Sequence, residues 1–82
     1  MDMLFQSSLE FFPKPGKGTV VQTITPEKEG RVKYQASYWP ARLYGESRWV
    51  QADLDQSVIV LGREGITLLI QLDDTKAVGD QQ

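Results

Sequence analysis

The sequence predicts an all-β protein, a small five-stranded barrel, and three observations carry that expectation. From Gly18 onward, short runs rich in Val, Ile, Thr, Tyr and Trp are separated by Gly, Pro, Glu and Asp clusters at roughly regular intervals. That is the punctuation of strands and turns. Within several runs apolar and polar residues alternate, as a strand requires when successive side chains point to opposite faces. Third, the chain has only 82 residues, enough for one core, and a domain of this size buries only about 60% of the surface its unfolded chain exposes. Short, twisted antiparallel strands then gain by closing on themselves, since closure removes open edges and lets one interior be filled.

The first 16 residues, MDMLFQSSLEFFPKPG, end in Pro13, Pro15 and Gly16, which mark a break. Phe5, Leu9 and Phe12 fall at i, i+4 and i+7, so residues 1–16 are expected to be a flexible segment or a turn of helix. Asp2 and Glu10, with no cation before Lys14, argue against a membrane-surface helix there. Strands follow over about 18–25, 30–36, 38–44, 57–62 and 66–72. Pro26 ends the first, and Gly62–Gly65 makes the tight loop between the last two. Residues 45–56 are the one long connection, with a turn of helix expected around 49–54. The polar stretch 73–82 reads as a disordered tail. The domain is thus 17–72, and a Greek-key barrel of the OB type fits best, ahead of an SH3-like barrel.

Alternation assigns the faces. Val32 and Tyr34, Val58 and Val60, and Leu68, Ile70 and Leu72 point inward, while Arg31, Lys33, Thr67 and Gln71 point out. Ile59, Leu61, Ile66 and Leu69 break the pattern, so part of the outer face needs a cover. Trp39 beside the small Ala41 suits a tapering interior. Pro40 between them lacks an N–H, which puts its strand at an edge or a bulge there.

Composition excludes more than it identifies. The chain has no cysteine and no histidine, which removes disulfide scaffolds, zinc fingers, cysteine nucleophiles and imidazole-dependent triads. Nine Lys and Arg against eleven Asp and Glu leave a formal charge of -2, so the global field does not favour nucleic acid. No apolar run reaches the roughly 18 residues of a membrane span, and no signal peptide is visible, so a cytoplasmic location is expected. Asp53 with Asp55 and Asp73 with Asp74 are the close carboxylate pairs, and neither sits in a ligand loop with enough oxygens for a hard cation. The serines have no base to activate them, and Gly16–Gly18 lacks the rest of a phosphate loop. No catalytic residue, metal or cofactor is expected.

Four pieces in order carry a family resemblance: GKGTVVQTITP at 16–26, Gly30-Arg31-Val32, Trp39-Pro40-Ala41, and the closing VIVLGREGITLLIQL at 58–72. The chain resembles, over about 17–72, the C-terminal soluble OB-fold domain of NfeD-like proteins. Two places depart from that pattern. Glu27-Lys28-Glu29 lengthens the first hairpin, and Asp55-Gln56-Ser57 stands where the family tends to have Gly. The resemblance implies a non-catalytic interaction module that works with stomatin- or prohibitin-like membrane scaffold proteins and is peripheral to the membrane through that partner. The protease and membrane domains of some relatives find no counterpart in these 82 residues, and no protease chemistry is inferred.

Read from the residues alone, the sharpest functional signal is outward-facing Arg31, Lys33, Tyr38, Arg42 and Tyr44. On an OB barrel such a face can stack and neutralise a single-stranded nucleic acid, at roughly 1–3 kcal/mol per stacked base. Arg and Tyr are equally enriched at protein interfaces, and the acidic balance favours the protein partner. A solvated sheet face is the plain alternative. Trp49, with Val50 and Leu54, is expected to plug one barrel mouth, or else to stand out as an anchor for a partner.

Overall fold

The computed structural model describes residues 9–45 and 49–73. Five strands form the barrel: β1 (Leu9–Gln22), β2 (Gly30–Tyr34), β3 (Ser37–Leu43), β4 (Ser57–Glu64) and β5 (Thr67–Leu72). They hydrogen-bond in the closed order β1-β2-β3-β5-β4, with β3 and β5 parallel and every other pair antiparallel. This is an OB-like Greek-key barrel.

The alternating residues fill it. Val20, Val32, Ala41, Val58, Val60 and Ile70 are fully buried, with Leu43 and Leu68 nearly so. Tyr34, Trp39 and Leu72 pack on this core from the barrel ends. Pro40 lies opposite Arg31 in a regular β2–β3 ladder, and β3 meets β5 only from Ala41 onward. The missing N–H therefore falls where β3 still has an open side, as its chemistry requires.

One expectation about the chain start is corrected. Leu9–Phe12 is strand, not helix, and β1 runs through the predicted break to Gln22; residues 1–8 lie outside the described residues. Pro13 and Pro15 are absorbed by a bulge, because β1 passes from Phe11 opposite Gly62 to Gly16 opposite Val60. The extra residues leave the ladder there, so the prolines' missing donors cost no pairing. Beyond the bulge Leu9–Phe11 pairs with Gly62–Glu64, and this close approach needs glycine. A Cβ on Gly62 would lie 2.2 Å from the Glu10 carbonyl oxygen and 2.8 Å from the Phe11 Cα.

The barrel mouths are closed by residues other than those predicted. At the mouth beside the β1–β2 turn, Ile24 and Ala52 exchange two backbone hydrogen bonds of 3.0 and 2.9 Å, and both are fully buried. Trp49 is 72% exposed, so it is not the plug, and Val50 and Leu54 are exposed with it. No α-helix forms over 49–54. The connection is instead tied to β1 by Asp55 N–H to the Val20 carbonyl, at 2.8 Å, and Val20 N–H to that of Gln56, at 3.0 Å. Asp55 takes φ 68, a left-handed conformation that Gly, Asn and Asp reach more readily than other residues. At the other mouth Phe12 stacks on Tyr34, ring planes 8° apart, and Trp39 Nε1–H donates to the Tyr34 carbonyl at 3.3 Å.

Candidate functional site

The structure divides the six singled-out residues into a sheet face and a cleft. On the outer face of β2 and β3, Lys33 lies directly opposite Tyr38 and Arg31 opposite Pro40, with Arg42 one step further along the same side of β3. Arg31, Lys33 and Tyr38 are exposed, Tyr38 at 59%. Arg31 and Lys33 make no ion pair among the described residues. They form a cationic strip with Tyr38 directly across the ladder from Lys33, all three open to solvent.

Arg42 and Tyr44 are engaged within the fold. Paired residues share a face, and the registers place Phe11, Gly62, Leu69 and Arg42 in one outer row across β1, β4, β5 and β3. Leu69 points outward between inward Leu68 and Ile70, yet it is fully buried. Gly62 has no side chain to separate Phe11 from it. The Phe11 and Tyr44 rings meet at 5.5 Å, and Arg42 reaches over β5 to ion-pair with Glu64. The cover that the sequence demanded for the second apolar face is thus supplied partly by β1 itself.

Around the corner from that row, Arg42, Tyr44 and Trp49 share a cleft of about 520 Å3, whose far wall is the turn at Pro26–Glu29. That turn is closed by reciprocal Thr25 and Lys28 backbone bonds of 3.0 and 3.2 Å. It brings Glu27, Lys28 and Glu29 to the rim. In the sequence these three read as added hairpin length alone. Their alternating charge on a turn facing Arg42 was the available signal. Residues 46–48 of the connection lie outside the described residues.

Chemically the arrangement is a solvent-facing surface of cationic and aromatic side chains. Among the described residues no group of three or more Asp or Glu is placed to hold a metal. The carboxylates seen near one another are engaged locally: Asp53 accepts from Gln51 at 2.6 Å, and its own N–H donates to the Gln56 side chain at 2.8 Å. Asp73, largely buried at its side chain, pairs with Lys17 at 3.2 Å.

These features define an OB-like barrel with an uncovered cation and aromatic face. Comparison with known proteins adds a specific likeness. No family model matches the chain, and no curated protein does. Among solved structures it is similar to the C-terminal domain of stomatin operon partner protein 1510-C from Pyrococcus horikoshii, at 28% identity and a TM-score of 0.61. The match covers 71% of this chain and 83% of that one.

Proposed function

We propose that this protein is a non-catalytic interaction module of the NfeD C-terminal type, acting with a stomatin- or prohibitin-like membrane scaffold protein. Its contact surface is the strip of Arg31, Lys33 and Tyr38 continued by Arg42, Tyr44 and Trp49 around the cleft. The observation that carries this reading is Trp49, an indole left 72% exposed at the edge of a cleft on a domain too small to spend that much apolar surface idly. The likeness to a stomatin operon partner domain supports the partner class. Among the described residues no helix is long and apolar enough to cross a membrane, so the partner supplies the membrane contact in this reading.

The test is affinity measurement against a purified stomatin-family protein encoded by the same genome. Tyr38→Ala with Trp49→Ala should weaken binding at least about tenfold, as loss of an aromatic anchor does, and leave the thermal melt unchanged. Full binding by the double variant would overturn the surface, and no binding by the unaltered protein would overturn the partner. The pairing of Tyr38 with Lys33 also keeps single-stranded nucleic acid as a second reading. A short oligonucleotide titrated at low and moderate salt decides it, because phosphate contacts must weaken as salt rises.

A further inference from the structure

At the barrel end away from Trp49 the structure holds a second recess, of about 330 Å3. Leu68, Trp39 and the stacked Phe12 and Tyr34 line it with apolar surface, and Ile66, 68% exposed, stands at its rim. Its charged rim is unbalanced. Glu10 and Arg63 neutralise one another at 3.0 Å, whereas Lys14 has no ion pair among the described residues. Among the described residues what remains is an apolar cup with one uncompensated cation.

The cup adjoins an open strand edge. Leu9–Phe11 pairs with β4 on one side, but β2 begins its pairing with β1 only at Thr19. Among the described residues the opposite edge of Leu9–Phe12 therefore meets no strand. An exposed edge of backbone N–H and C=O groups is a template for one more strand. Pro13 and Pro15 end that template after four residues, because they cannot donate. Glu10, Phe12 and Lys14, at every second position, all line the cup. A strand laid along this edge would point its own alternate side chains the same way.

We propose that this end of the barrel captures an extended peptide segment of a protein partner by strand addition to Leu9–Phe12, with an apolar residue in the cup and an acidic residue two positions away against Lys14. Backbone bonds hold the segment, the aromatic cup selects the apolar side chain, and Lys14 sets which neighbour is acidic. The site is independent of the strip and cleft described above, and it needs no particular identity for the partner that meets them.

The experiment uses the full chain and an N-acetylated, C-amidated peptide Thr-Thr-Phe-Thr-Glu-Thr, followed by NMR. Shifts should localise to the amides of Leu9–Phe12, the Trp39 indole N–H and the Ile66 methyls. A peptide with Lys in place of Glu should bind about fivefold more weakly, the effect of losing an exposed ion pair worth ~1 kcal/mol. Lys14→Glu should reverse that preference while its own spectrum stays folded. Three results overturn the proposal: no shifts at millimolar peptide, shifts confined to Tyr38 and Trp49, or a charge preference that Lys14→Glu leaves untouched. Concentration-dependent shifts of Leu9–Phe12 without peptide would overturn it as well, by giving the edge to a second copy.

Discussion

Gln35 and Ala36 hold the least expected backbone in the molecule. They are the two central residues of the β2–β3 hairpin, between paired Tyr34 and Ser37, with φ 52 and 64. Positive φ at both positions makes a type I′ turn, whose twist matches the strands it joins and whose preferred residues are Asn and Gly. A side chain with a Cβ loses roughly 1 kcal/mol or more in that conformation. Gln35→Asn with Ala36→Gly should therefore stabilise the fold by about 1–2 kcal/mol and raise Tm by roughly 5–10 °C in a domain of this size; a melt that stays put or falls would mean the turn is relaxed as it stands. Gly62 sets the opposite limit. Its missing Cβ lets β1 cross within 2.2 Å of where a methyl would sit, and the obstructing atoms are backbone. Gly62→Ala should cost about 2–3 kcal/mol, the cost of forcing packed backbone apart, measurable by urea unfolding. Substituting Gly65, at φ 64 but with open space around it, should cost only the conformational part, about 1 kcal/mol.

At the scale of elements, the outer row explains why β1 is long. Leu69 is a fully buried leucine on the outside of the barrel, and it stays dry only because Phe11, Tyr44 and the Arg42–Glu64 pair close over β5. Phe11→Ala should destabilise by about 2 kcal/mol or more, as removing a half-buried aromatic cover does. Arg42→Ala should cost less, since an exposed ion pair is worth about 0–1 kcal/mol. Equal losses in a pair of melts would refute this ranking. The alternation that put Val32, Val58, Val60 and Ile70 inside was plain in the sequence, because each strand face is decided by its own residues. The β1 arm was not, because its prolines look like a terminus unless the bulge that accommodates them is known, and a bulge is set by the partner strand. Trp49 misled for a related reason: size argues for burial, but the Ile24–Ala52 bridge had already closed that mouth with two smaller residues. Arg31, Lys33 and Tyr38 were legible as one face, since local alternation suffices. The meeting of Arg42, Tyr44 and Trp49 with the Pro26–Glu29 turn was not, since it depends on how two distant loops cross the same barrel end.

For the whole molecule the decisive fact is that closure is made by distant segments. β1 closes the barrel on β4, with Gly18 opposite Val58 and Leu9 opposite Glu64, and β3 joins β5 in parallel. None of these contacts is available to an isolated hairpin, so the central ladder should form and dissolve as one unit. Native-state hydrogen exchange gives that statement content. Protected amides of Val20, Val32, Val58 and Ile70, on four different strands but one core, should exchange with a common free energy equal to that of global unfolding. Leu9–Phe12 should exchange through a separate, cheaper opening, because among the described residues it is paired on one side only and a bulge divides it from the rest of β1. Loss of that arm would uncover Leu69 and leave the barrel core paired, so the opening is local by construction. A single exchange free energy for arm and core would show instead that the outer row of Phe11, Tyr44 and Leu69 is part of the cooperative core, and that strand addition at the Leu9–Phe12 edge would stabilise the entire barrel.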